Sequence, residues 1–245
     1  MYYQIEGTNV RLAGSMHFIP AGYGQLPAWV GDAYAWSQDL YLEGHPGELA
    51  FHAYDPAGTT LEQKLSAQTW QQLRDVWHLG HLRHERLWLI LPTLARQSFA
   101  HVPGVEHYLT DRAQVDERVI QYLESAVEFA AIMNSVPDDI YIAQIERMVA
   151  DLHGVRQMMA DMYAAWISGR IHAVEEVLPR TPLGWDPTIK AAALNARNLL
   201  WLPKIIDALA SDRHTLIIVG AAHLVGPSGL LSLLEERGRN NRQLA

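Results

Sequence analysis

The apolar positions of the chain change period twice, and the changes divide it into two ends and a middle. Near the start, Asn9-Val10-Arg11-Leu12-Ala13 reads as a short strand that runs into Gly14-Ser15-Met16-His17. Pro20, Gly22, Gly24 and Pro27 then mark a loop. Ala28 to Ser37 has helical spacing, and Leu40-Tyr41-Leu42-Glu43 reads as a second strand, stopped by Gly44 and Pro46. Strand, helix and strand in that order predict a parallel pair with a right-handed crossover.

From Thr60 to about Ala100 the apolar residues recur at helical spacing, and Gly104 to Gln114 predicts another helix. Arg118 to Leu123 reads as a strand ending at Glu124. Asp138 to Ser168 is one long helical stretch, with Ile142, Ile145, Met148, Val149, Leu152 and Val155 on a stripe that Met158, Met159 and Met162 continue. Such a methionine stripe is core or groove wall rather than a metal box. Pro187 to Leu209 is helical as well, and Pro203 is expected to kink or interrupt it.

The end repeats the beginning. Thr215-Leu216-Ile217-Ile218-Val219 is the clearest buried strand, and it runs into Gly220-Ala221-Ala222-His223. Leu230 to Arg237 reads as the closing helix, with Ser228 as its cap, and Asn240 to Ala245 as an exposed tail or short edge strand. The predicted fold class is α/β. One domain spans 1–245, with a small sheet core from about 1–55 and 212–245 and a mainly helical insertion from about 60–210.

Composition narrows the function. Of 245 residues, 49% are apolar and 19% charged, enough to bury a sizeable core. The net charge of −8 argues against nucleic acid or an anionic membrane as the main partner. With no cysteine, disulfides, thiolate metal sites and a cysteine nucleophile are excluded. Met1-Tyr2-Tyr3-Gln4-Ile5-Glu6-Gly7 lacks the basic and apolar regions of a signal peptide, and no apolar run is long enough to span a bilayer. These features predict a soluble, cytoplasmic protein.

The candidate chemistry lies in the repeated strand-Gly-x-x-His. Glycine permits a tight turn and close approach of another backbone. The histidine then projects near the carboxyl edge of its strand, where ligands bind in parallel sheets. If both terminal strands share one parallel sheet, His17 and His223 share that edge, and Glu43 ends a neighbouring strand. Either copy alone reads as an ordinary cap or satisfied polar group. Two copies after apolar strands, with a strand-ending glutamate beside them, carry the functional reading. His78, His81 and His84 sit three apart before Glu85, but they do not form His-Glu-x-x-His and read as a solvated or interface face. Trp70, Trp77, Trp88, Trp166 and Trp201 read as core. There is no phosphate-binding glycine loop.

Taken together, the motifs resemble those of the TraB/PrgY/GumN family, to which the TIKI proteins are related, and more distantly the erythromycin esterase and ChaN-like group. Leu12-Ala13-Gly14-Ser15-Met16-His17 is similar to the family's Gly-Thr-x-His element, with Ser for Thr, and Glu43 falls at its acidic position after the second strand. Gly104-Val105-Glu106-His107-Tyr108-Leu109 resembles its Gly-[Val/Ile]-[Glu/Asp]-x-x-Leu element. Tyr122-Leu123-Glu124-Ser125 and Ala196-Arg197-Asn198-Leu199-Leu200-Trp201 resemble its Leu-Glu-[Thr/Ser] and Arg-Asn segments. The stretch Val219 to Leu231 is the most specific match.

The resemblance implies a metalloprotease-like site in which His17, His223 and Glu43 bind a divalent metal. Manganese or cobalt is favoured, with zinc or iron as alternatives. Glu106, Glu124 and Arg197 come from the other matched motifs. The histidines would bind through neutral imidazole nitrogen and leave a position for water. A second glutamate would act as general base, and Arg197 would hold a substrate carboxylate or the oxyanion. The plainer expectation for Arg197 is an ion pair with Glu106 or Glu124, and for Glu124 a place at a helix start. Three functions follow as expectations: a metal-dependent hydrolase of a peptide or small molecule, a metal-free esterase with His17 as base, or a protein that sequesters a ligand without turnover.

Overall fold

The computed structural model of the chain describes residues 1–22, 26–55, 58–76 and 83–245. Gly24, Trp77, His78 and His81 lie outside the described residues. The strands are β1 (Tyr2–Ile5), β2 (Val10–Ser15), β3 (Phe18–Pro20), β4 (Asp39–Leu42), β5 (His101–Pro103), β6 (Ile120–Tyr122), β7 (Thr215–Gly220) and β8 (Asn241–Gln243). Six of them form one mixed sheet in the order β6-β4-β7-β2-β1-β8, and β3 pairs with β5 in a separate ribbon.

β7 takes the centre because it is the most continuously apolar segment, and a central parallel strand is covered on both faces. Thr215 to Val219 are all buried. β2 and β4 flank β7, both parallel to it, and β6 continues the parallel set beyond β4. The expected parallel strands β2 and β4 are therefore present but not adjacent: the C-terminal strand inserts between them. β1 was not expected. It returns antiparallel along β2 through a turn in which Gly7 adopts φ 71°, and β8 closes the edge beside it. The middle of the chain also contributes a strand, since β6 lies in the main sheet.

Helices pack around the sheet and fill the middle of the chain. They are α1 (Ala28–Trp36), α2 (Pro46–His52), α3 (Leu61–Lys64), α4 (Ala67–Val76), α5 (Leu87–Gln97), α6 (Val105–Val115) and α7 (Ala126–Met133). Then follow α8 (Asp138–Ala150), α9 (Leu152–Ile167), α10 (Ile171–Val177), α11 (Pro182–Trp185) and α12 (Pro187–Lys190). A π-helical segment, Ala191–Ala196, leads into α13 (Arg197–Leu209), and α14 (Leu230–Glu235) closes the series.

Two expectations need correction. The stretch from Asp138 to Ser168 is two helices, because Asp151 leaves helical geometry and its side chain accepts the Gly154 N–H at 2.8 Å, capping α9. Pro203 lies inside α13 without ending it, so of the expected kink or interruption the interruption is absent. Its position is exposed, so a carbonyl deprived of its partner faces water.

One core surrounds the sheet. A second, built on Leu61, Leu73, Trp88, Ile90, Leu94, Ile145 and Met148, fills the helical middle, and Met159 packs against both. Trp70, Trp88, Trp166 and Trp201 are buried, as expected for core.

Gly104 joins the start of α6 to the chain leaving β2. Its N–H donates to the His17 carbonyl at 3.0 Å and the Val105 N–H to the Met16 carbonyl at 3.1 Å. A Cβ at Gly104 would overlap the Met16 carbonyl oxygen. Gly104→Ala is therefore expected to destabilise the fold by ~2–3 kcal/mol, read by thermal melting. A melt identical to wild type would show that α6 is not docked this way.

Candidate active site

Four parallel strands bring four segments to one sheet edge. His17 follows β2, Glu43 follows β4, Glu124 follows β6 and His223 follows β7. Glu106 arrives on the first turn of α6, held there by the Gly104 contact, and Arg197 opens α13 after the π segment. All six residues expected from the sequence meet in one connected cluster.

Each histidine is oriented through its Nδ1. The Asn198 side-chain amide donates from Nδ2 to two carbonyls, those of His223 at 3.1 Å and Ser228 at 2.8 Å. Its Oδ1 therefore faces His223 Nδ1, 2.7 Å away, and accepts that proton. The tautomer is fixed, and His223 Nε2 keeps the lone pair. The ring also packs against Trp201 at a tilt of 39°, with centroids 4.4 Å apart. His17 Nδ1 lies 3.0 Å from Glu106 Oε1, which also accepts from the Ser15 hydroxyl. Glu106 Oε2 is buried without a hydrogen-bond partner. The His17 side chain is 53% exposed, so this is the side from which the cluster meets solvent.

Arg197 stands between the carboxylates. Its Nε donates to Glu124 at 3.0 and 3.1 Å, and its Nη2 to Glu124 Oε1 at 2.5 Å and to Glu43 Oε2 at 2.7 Å. Nη1 reaches His223 Nε2 at 3.2 Å and the Ala193 carbonyl at 3.3 Å. Trp201 Nε1 closes the remaining side of Glu124 at 3.1 Å. The ion pair expected with Glu124 is present. Glu106 is not part of it, and Glu43 takes its place. Glu124 is buried with both oxygens engaged, so it serves to hold Arg197 rather than to accept a proton.

The charges follow from this layout. Burial pushes the Glu43 carboxyl up, but the Arg197 guanidinium, with His223 and His17, holds it well below the usual carboxylate range. Burial raises Glu124 despite Arg197. Burial lowers His223 to about 3, so its ring is neutral. Glu106, helped by Glu43, raises His17 to about 9, so a positive charge is favoured at that position.

Gly220 leaves the space on which these groups converge. Its N–H donates to Glu43 Oε1 at 2.6 Å. A Cβ there would lie 3.3 Å from Glu43 Oε1 and 3.6 Å from both His17 Nε2 and His223 Cδ2. The backbone at Gly220, with φ −53°, suits alanine. Gly220→Ala is thus expected to fold, with a melting temperature within a few degrees of wild type, and to lose ligand or metal binding at this point at least tenfold. Unchanged binding would show that the space is not used.

A family model for the TraB/PrgY/gumN family matches residues 3–243, nearly the whole chain. The chain belongs to the TraB/PrgY/gumN family. No curated protein and no solved structure matches it. Among the described residues of this TraB/PrgY/gumN protein, no helix is long and apolar enough to cross a membrane. Nor, as their side chains stand, is any group of three or more His, Asp or Glu among them placed to hold a metal ion.

Sequence reasoning missed Asn198 and Ser15 as orienting groups. Asn198 follows Arg197 inside the matched segment, and that adjacency was the available signal. Ser228 does not cap α14 with its side chain. The N-cap is Gly229, and the Ser228 carbonyl instead receives Asn198. His84, the one described member of the histidine row, packs edge-on against Tyr54 at 5.8 Å.

The two histidines give stability opposite pH slopes. His223 titrates near 6.5 unfolded and near 3 folded, so the unfolded chain takes up the proton first. Stability therefore falls as pH drops below about 6.5. His17 is raised, so its contribution is complete below about 6.5 and fades as pH rises through about 9, reduced by its exposure. Melts across this range are expected to show a shallower acid limb in His223→Asn and a shallower alkaline limb in Glu106→Gln. An acid limb as steep in His223→Asn as in wild type would contradict the assignment.

Proposed function

We propose that this TraB/PrgY/gumN protein is a metal-dependent hydrolase of peptide or amide bonds, its divalent cation held by His17, His223 and Glu43. The observation that carries this reading is the space at Gly220, faced by Glu43 Oε1, His17 Nε2 and the Nε2 side of the His223 ring. The residues fit a cation in three respects. Both Nδ1 atoms are engaged by oxygens, so Nε2 is the nitrogen each ring would offer a metal, His223 in exchange for its Arg197 contact. The donors are two imidazoles and a carboxylate, a set suited to manganese, cobalt, zinc or iron. Glu43 and Glu124 pair with the Arg197 guanidinium and Glu106 pairs with His17, so once His17 gives up its proton the carboxylates outnumber the single guanidinium.

When bound, such a cation would polarise the scissile carbonyl and make a bound water more acidic. His17, His223 and Glu43 supply the ligands. Glu106 is the one carboxylate of the three with an oxygen free of hydrogen bonds, and it takes the role of base. The water oxygen bonds to the carbonyl carbon, and its proton passes to Glu106. Glu106 then returns the proton to the leaving nitrogen as the C–N bond breaks. Arg197 has its donors engaged inside the cluster and positions Glu43 and Glu124 rather than substrate.

A metal-free reading is favoured by one contact, Arg197 Nη1 on His223 Nε2 at 3.2 Å. In it the Glu106–His17 pair acts as general base for ester hydrolysis, with no cation. A panel of peptides and esters distinguishes the two. The proposal expects cleavage that a chelator abolishes and added manganese or cobalt restores. Cleavage unaffected by chelation supports the metal-free reading.

A further inference from the structure

We propose that Arg197 and a divalent cation compete for the single lone pair of His223 Nε2, so that the site alternates between an arginine-locked state and a cation-loaded state. The inference rests on the metal-dependent reading and concerns the regulation of that site. Its basis is the chemistry of one nitrogen. Asn198 Oδ1 fixes the proton on His223 Nδ1, so Nε2 has one lone pair in the ring plane. That lone pair accepts from Arg197 Nη1 at 3.2 Å. It can serve a guanidinium hydrogen or a metal, not both.

The rest of the arginine is built to let Nη1 go without losing the side chain. Glu124 accepts from both Nε and Nη2, and Glu43 Oε2 accepts from Nη2. Nη1 has a second acceptor in the Ala193 carbonyl at 3.3 Å, supplied by the π segment before α13. Releasing His223 therefore breaks one long hydrogen bond and leaves the guanidinium anchored. In the locked state a permanent positive charge stands against His223 and repels a second cation. Arg197 thus weakens cation binding and makes loading reversible, and it protects Glu43 and Glu124 from standing as bare buried charges when no cation is bound.

The test compares cobalt binding by wild type and Arg197→Lys, with binding followed by calorimetry and visible absorption. Lysine keeps one positive charge for Glu43 and Glu124 but lacks the fork that reaches His223 as well. Arg197→Lys is expected to bind cobalt about tenfold tighter or more, because the state that occupies His223 Nε2 is removed. In parallel, wild type with labelled arginine and histidine is loaded with zinc and observed by NMR. The Arg197 Nη1 and His223 Nε2 signals are expected to shift, while the Arg197 Nε–H signal stays. Equal or weaker cobalt binding by a folded Arg197→Lys protein overturns the competition and leaves the metal reading standing. If Arg197→Lys does not fold, the wild-type spectra decide: an Nη1 signal unchanged on loading overturns the competition. Binding of neither cobalt nor zinc by wild type or variant overturns the metal reading, and the competition with it.

Discussion

Arg197→Met is expected to destabilise the protein by ~3–5 kcal/mol, a fall of roughly 10 °C or more in melting temperature. The size follows from what the substitution leaves behind. Glu124 is 2% exposed, and the Glu43 side chain is 11% exposed. Without the guanidinium, both are buried carboxylates facing one another with no cation between them. Burial already raises the Glu124 pKa with Arg197 in place, so Glu124 would take up a proton rather than remain charged. A second substitution separates lost pairing from lost packing. Arg197→Met combined with Glu124→Leu replaces most of the ion pair by apolar groups and is expected to recover more than half of the loss. Chemical denaturation of the two variants reads this directly. A single variant as stable as wild type would contradict the buried pairing.

His17→Ala and His223→Ala are each expected to lower peptide hydrolysis by about 10³-fold or more, since each removes a ligand of the reacting centre. Their effects on stability differ. The His17 side chain is half-exposed, so its loss is expected to cost only ~1 kcal/mol near pH 7, chiefly the lost pairing with Glu106. His223 is buried against Trp201, and its removal leaves Asn198 Oδ1 without a partner. That variant is expected to lose ~2 kcal/mol while still folding. Activity and melting measured on the same samples check both halves. Full activity in either variant would remove that histidine from the site, and equal melting losses would contradict the packing described for His223.

The fold and site were legible in unequal measure. β7 was readable because five consecutive buried positions leave a strand little else to do, and β2 and β4 because glycine and proline punctuate them. The convergence of His17, His223 and Glu43 followed from strand polarity, once the repeated Gly-x-x-His was placed after two strands of one parallel sheet. Glu106, Glu124 and Arg197 came from resemblance alone, since nothing in their spacing says that two helix starts and a strand end meet. The contacts that decide their roles lie beyond sequence periodicity. Arg197 chooses Glu43 and Glu124 over Glu106 because α6 is tied by Gly104 to the far side of His17. Asn198 gives no pattern of its own, because orienting a ring from the next helix is a three-dimensional act. The break at Asp151 was hidden because one side-chain oxygen overrode a continuous apolar stripe.

The most direct measurement of the central claim is the metal content of untagged protein by elemental analysis, for wild type and for the His17→Ala/His223→Ala double variant. Wild type is expected to carry close to one manganese, cobalt, zinc or iron per chain, lost in a double variant that circular dichroism shows to be folded. Wild type without metal after loading with excess divalent ions, or a double variant that keeps its metal, would contradict that claim.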